Sequence, residues 1–141
     1  MAQITYTDLV DRYGNNVWAW ADVNGIWDVT QGTPSGATLT ALLVQVNDAI
    51  NAADARIDDL LRGCSLSFVI PVVTQGTSTV PQTIRDCKRK LAGYFLSTAR
   101  DVRDFDKDSN PITNMYADYV DAMKIIEDVR LKHLVLNVVG Q

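Results

Sequence analysis

Apolar residues recur at helical spacing in three long stretches of this chain. The clearest runs from about Ala37 to Arg62. Leu39, Leu42, Leu43, Val46, Ala49, Ile50, Ala53, Ile57, Leu60 and Leu61 step by three and four, which marks one face of a helix sustained for about seven turns. Asn47, Asp48, Asn51, Asp54, Asp58 and Asp59 occupy the remaining positions, and Gly63 supplies a terminator. Such a helix would be about 39 Å long at 1.5 Å per residue. It exceeds the ordinary globular helix and is expected to act as a spine. A second stretch opens at Pro81, which suits a first helical turn because the missing N–H would be unpaired there anyway. Ile84, Cys87, Leu91, Tyr94 and Phe95 form its apolar face, Ala92 and Gly93 allow a neighbour to approach, and Arg85, Lys88, Arg89 and Lys90 are expected on the outside. The third stretch follows Asn110-Pro111, read as an N-cap and a first-turn proline. Ile112, Met115, Tyr116, Tyr119, Met123, Ile126 and Val129 carry it to about Arg130.

The segments between these helices are less regular. Thr5 and Asp8 have capping-box spacing and begin a short helix with Leu9, Val10 and Tyr13 on its apolar side and Gly14 at its end. Residues 15–36 hold Trp18, Trp20 and Trp27 among Asn24-Gly25, Gly32, Pro34 and Gly36, which read as turns and loop. The three tryptophans either cover the helical core or contact a partner, where Trp is enriched. Residues 64–80 read as extended chain. Leu66, Phe68 and Ile70 alternate as in a short strand or arm, and Pro71 argues against a central strand. The end of the chain, His133 to Gln141, is apolar and β-branched without polar alternation, so it should not lie exposed in a lone subunit. The expected fold is mostly α: a small bundle around one long central helix, with an extended loop and an extended C-terminal tail. Residues 1–132 form the helical domain and 133–141 the tail.

Composition narrows the function. At 141 residues the chain has the length of one domain able to bury its own core. Net charge is −4, which disfavours free-standing binding to duplex phosphates. The charge is uneven: residues 1–80 carry 3 basic and 8 acidic side chains, residues 81–141 carry 10 and 9. Sixteen of the 17 acids are Asp, a mediocre helix former, so the helices should lean on packing. Cys64 and Cys87 form no motif and read as free thiols in a reducing compartment. The first residues lack a signal-peptide pattern and no apolar run approaches ~18 residues, so no membrane role is expected.

Chemistry is hard to assemble. His133 is the only histidine, and a nucleophile–base pair or a zinc cluster needs more. Asp104 to Asn110 mimics half of a calcium loop, but Ser109 stands where the glycine belongs and Met115 where the bidentate Glu belongs. There is no Gly-rich phosphate loop. No catalytic activity, cofactor or metal is expected. The basic cluster Arg85/Lys88/Arg89/Lys90 is a solvated face, or else a dock for an acidic surface or DNA phosphate.

Several short runs, in order, resemble the small helical head–tail connector proteins of long-tailed phages, also called adaptor or head-completion proteins. They are Ile4-Thr5-x-x-Asp8-Leu9-x-x-Arg12-Tyr13-Gly14, Trp20-Ala21-Asp22, Ala49-Ile50-x-x-Ala53 through Gly63, Ile70-Pro71, Pro81-x-x-Ile84, Leu91-Ala92-x-Tyr94-x-Leu96 and Tyr119-x-Asp121-Ala122. One departure is Lys132-His133, where members often place a glycine after the last helix. The resemblance implies a homo-oligomeric ring, commonly of twelve subunits, beneath the portal protein at the head–tail junction of the virion, assembled in the host cytoplasm. The ring would extend the DNA channel, pass DNA without sequence-specific binding, and offer a platform to the next connector, stopper or tail-completion protein. The loop and tail would find shelter only in that ring. Candidate subunit or partner contacts are Trp18, Trp20, Trp27, Phe68, Ile70, Arg85, Lys88, Arg89, Leu134, Leu136 and Val138. The competing class is a cytoplasmic helical interaction adaptor unrelated to virions; a small DNA-binding protein is disfavoured by the acids beside the basic helix.

Overall fold

The computed structural model describes residues 4–99 and 114–141. Its helices are α1 (Tyr6–Tyr13), α2 (Asn16–Ala21), α3 (Gly36–Arg62), α4 (Gln82–Ala99) and α5 (Asn114–Arg130), with a 3-10 turn at Val29–Gln31. The three long helices lie where the apolar spacing places them. The polar run 101–110, with its calcium-like segment from Asp104, and the start of the third helix expected at Asn110-Pro111 and Ile112 fall outside the described residues.

Helix α1 starts at the capping box, where the Asp8 carboxylate accepts the Thr5 N–H at 2.8 Å, so a short helix gains a defined first turn. It ends at Gly14, whose φ of 62° needs a residue without a Cβ. Helix α3 ends at Gly63, whose N–H donates to the Asp59 carbonyl at 2.9 Å. It is the long spine of the bundle. Helix α4 lies between α3 and α5 and also touches α1 and α2. Val46, Ile50, Ala53, Ile57 and Leu61 of α3 meet Ile84, Leu91, Ala92 and Leu96 of α4, and Ala122, Ile126 and Val129 of α5 close the other side. At Gly93 the Tyr13 ring of α1 lies against α4: a Cβ there would lie 2.4 Å from it.

The reading of residues 15–36 as loop is corrected in part. Asn16–Ala21 forms a helix, and it carries Val17, Trp18, Trp20 and Ala21 into the core. Trp18 tilts against Tyr6 and Trp20 meets Tyr13 edge-on, with ring centroids 5.9 and 5.5 Å apart. The loop that follows is organised by buried Asp22, whose two oxygens accept the N–H groups of Ile26 and Trp27 at 2.9 and 3.0 Å.

The loop and the tail are extended, as their composition implies, but neither needs a ring to find a partner. They pair with each other. Ser67 N–H donates to the Gly140 carbonyl at 3.1 Å, Val69 N–H to Val139 at 3.4 Å and Gln75 N–H to Asn137 at 2.6 Å, and Thr74 forms an antiparallel bridge with Val138. Burial alternates from Cys64 to Ile70, with Leu66, Phe68 and Ile70 turned inward. The Gln141 side chain ties the tail back by donating to the carbonyls of Val129 at 3.1 Å and Leu134 at 2.7 Å. The chain leaves α5 through Lys132, a non-glycine residue at φ 62°, whose N–H donates to Val129 while that of His133 donates to Asp128.

Gly140 is the tightest point of this clasp. A Cβ there would sit 1.9 Å from the Ser67 carbonyl oxygen. Gly140→Ala is therefore expected to separate tail from loop and leave the helices intact. Hydrogen exchange should show amide protection lost at Ser67, Val69 and Gln75 with helical circular dichroism unchanged. Retained protection at these three amides would refute the close approach.

Candidate functional site

The sequence pattern puts four cations of α4 on an outer face. The structure corrects this at Lys88 and qualifies it for the others. Lys88 is 0% exposed, and its Nζ donates to Asp54 Oδ1 at 2.6 Å and Asp58 Oδ1 at 3.0 Å. The two carboxylates stand one turn apart on α3, so they flank a single ammonium from across the helix pair. Arg85 reaches back to Asp8 at 3.0 Å, Arg89 pairs with Asp86 at 2.7 Å, and Lys90 pairs with Asp121. The cluster is thus spent on acids of its own chain. What remains cannot present four free charges to a phosphate backbone.

The signal for Lys88 is present in the sequence. Position 88 falls within the apolar stripe of Ile84, Cys87, Leu91 and Ala92 rather than opposite it, and Asp54 and Asp58 sit beside the apolar stripe of α3 at a spacing of four.

A second polar knot joins α1 to α5. Asp118 is buried and accepts from Arg12 Nε at 3.0 Å, Arg12 Nη2 at 2.7 Å and Tyr13 Oη at 2.7 Å. Burial alone would raise the Asp118 carboxyl; the hydrogen bonds from Arg12 and Tyr13 outweigh it and hold the group below the usual carboxylate range. Burial, with the Asp118 charge beside it, raises the Tyr13 hydroxyl. The Arg12 guanidinium is held in its charged form chiefly by its hydrogen bond to Asp118. Burial also pushes the Cys87 thiol up to about 12, which keeps it protonated and unreactive at neutral pH.

The remaining candidates divide between interior and surface. Trp18 and Trp20, at 2% exposure each, are core residues of this subunit, as is Val138 at 6%. They leave the set of outward contacts because helix packing and the clasp already cover them. Trp27 is half-buried and donates its indole N–H to the Gly32 carbonyl at 2.9 Å. Phe68, Ile70 and Leu136 are also half-buried and pack against the core. Leu134 stays exposed, and it has company that the sequence pattern does not single out: Val69, Leu131, Val135 and Val139. Val135 and Val139 belong to the apolar tail that the sequence marks as wanting cover, whereas Val69 comes beside Val139 only once loop and tail pair. His133 is exposed and faces Asp128 at 3.8 Å. Among the described residues no three His, Cys, Asp or Glu side chains gather as a metal site would require, and no helix is long and apolar enough to cross a membrane.

Fold and surfaces define a small, mostly helical bundle stapled by internal ion pairs, with apolar side chains left outward on its clasp. Compared with protein-family models, residues 4–141 match the family described as Bacteriophage Mu, Gp36. The chain belongs to this family of bacteriophage proteins. No curated protein and no solved structure matches it.

Two outcomes follow from the polar contacts. Lys88→Met should destabilise the fold by about 3–5 kcal/mol, because two nearly buried carboxylates lose their counter-charge. Combining Lys88→Met with Asp54→Leu and Asp58→Leu should recover much of that loss; urea unfolding measures both, and a neutral Lys88→Met would refute the buried pairing. For Asp118 the folded carboxyl is depressed. Its contribution is fully present above the unfolded value of about 3.9 and is lost as pH falls through the folded value. Asp118→Asn should cost about 1.5–3 kcal/mol at pH 7, and the gap from wild type should narrow as the pH is taken below about 4. A gap that holds constant into acid would contradict the assignment.

Proposed function

We propose that this chain is a structural protein of the phage particle, a head–tail connector. It forms a ring, commonly of twelve subunits in proteins it resembles, beneath the portal. There it lengthens the DNA channel and gives the next connector, stopper or tail-completion protein a platform. It carries out no catalysis and takes no cofactor. The protein joins the head–tail junction of the virion after folding in the host cytoplasm.

The observation that carries this reading is the clasp surface of a chain from a phage family. Val69, Leu131, Leu134, Val135 and Val139 face outward, and an apolar patch on a subunit of this size favours a protein neighbour. The internal pairing of the α4 cations supports it as well. A channel wall must let DNA slide, and a helix face whose lysines and arginines already hold carboxylates offers few phosphate contacts.

The test is electron microscopy of the purified protein mixed with the portal protein of the same phage, together with particles assembled without it. The expected result is added ring density under the portal, and DNA-filled heads that fail to join tails when the protein is absent. Heads that join tails normally without it would overturn the proposal.

A further inference from the structure

Two apolar faces sit at opposite ends of α3. One is the clasp, at the C-terminal end, where Arg130 Nε holds the Leu60 carbonyl at 2.9 Å. The other is a groove at the N-terminal half, where the loop after α2 lies against α3 and Val23 and Ile26 face Ala41 and Val44. Val23, Ile26 and Val44 expose 41–55% of their surface, and neighbouring Val29 exposes 65%. Val44 and Leu60 are separated by about 24 Å along the helix. The two faces therefore cannot serve one neighbour at a single contact.

The rims differ in charge: that of the groove is acidic, and that of the clasp is mixed, with one cation outside its ion pairs among the described residues. From residue 16 to residue 53 the chain has Asp22, Asp28 and Asp48 and no Lys or Arg. Asp28 and Asp48 are exposed, and Asp48 lies one turn beyond Val44 on α3. On the clasp, Lys132 is exposed beside Leu131 and Leu134; of the acids one turn back, Glu127 is paired with Arg130 and Asp128 faces His133. A clasp-to-clasp pairing would set Lys132 near its own copy, and a groove-to-groove pairing would set the Asp rims together. Like charges across an interface are costly.

We infer, building on the ring reading above, that the clasp of one copy seats in the α2–α3 groove of the next. Val135 and Leu134 enter beside Val44 and Ile26, and Lys132 faces the Asp48 rim. Such a contact is heterologous, so it repeats from copy to copy and closes into a ring when the rotation permits. The occupant of the groove is a second copy of this chain.

Sedimentation velocity at rising concentration tests it. Val44→Asp and Val135→Asp change exposed positions, so both should keep the wild-type helical spectrum and melting temperature. Each alone should weaken self-association by at least about tenfold. Mixed in equal amounts, they should form a one-to-one dimer and nothing larger, since one intact clasp and one intact groove remain. Lys132→Asp should weaken association and Asp48→Lys in the same chain should restore it. If wild type associates and either single variant associates as strongly, or the mixture stays monomeric, this interface is wrong while the ring reading stands. Wild type that stays monomeric at every concentration overturns this interface, and portal-bound rings under the microscope would then be the independent measure of the ring.

Discussion

The ammonium of Lys88 sits beneath the surface between two carboxylates of the facing helix. Apolar contacts alone would tolerate some sliding of α4 along α3, since stripes of Leu, Ile and Ala offer similar holes at successive turns. The buried charges do not tolerate it. A shift of one turn, about 5.4 Å, would strand an ammonium and two carboxylates in a low-dielectric interior, where unpaired charge is strongly destabilising. The register of α4 on α3 is thereby set. The Arg12–Asp118–Tyr13 knot does the same for α1 and α5, and it reaches over α4 only because Gly93 leaves room for the Tyr13 ring. These few polar contacts also suit a chain whose acids are almost all Asp. Its helices need tertiary anchors more than they need intrinsic propensity.

How much of this is legible in the sequence depends on the range of each signal. Helices α3, α4 and α5 are legible because a stripe of apolar residues at 3.6-residue spacing has one stable use. The ends of α1 are legible from Thr5, Asp8 and Gly14, whose effects act within one turn. Helix α2 is hidden: its six residues are too few to show a period, and the surrounding Asn and Gly speak for turns. Lys88 misleads because a lysine is ordinarily counted with the solvent side, although its position lies inside the apolar stripe. The clasp cannot be read locally. Ser67 and Gly140 stand 73 positions apart, and nothing near either residue specifies the other; composition tells only that both segments want cover. Of the outward patch, the tail residues are legible from composition, and the placing of Val69 beside Val139 is not.

Pairing cations internally also shapes what the surface can do. The second half of the chain looks neutral by count and basic along one helix, yet Arg85, Lys88, Arg89 and Lys90 all hold carboxylates of the same subunit. Long-range attraction for a polyanion needs uncompensated charge. The paired cations of α4 leave little of it on that helix.

Lys132 sets two demands against each other. As the residue that turns the chain out of α5 it holds a left-handed backbone, φ 62°, a conformation that glycine adopts freely and an L side chain adopts at a cost of roughly 1–2 kcal/mol. Here the strained position also lifts a cation onto the rim of the clasp. A glycine would relax the backbone and erase that charge, so the most stable form of the isolated subunit and the form best suited to choose its neighbour would be different sequences. Directed selection for thermal stability alone would be drawn toward the first and away from the second.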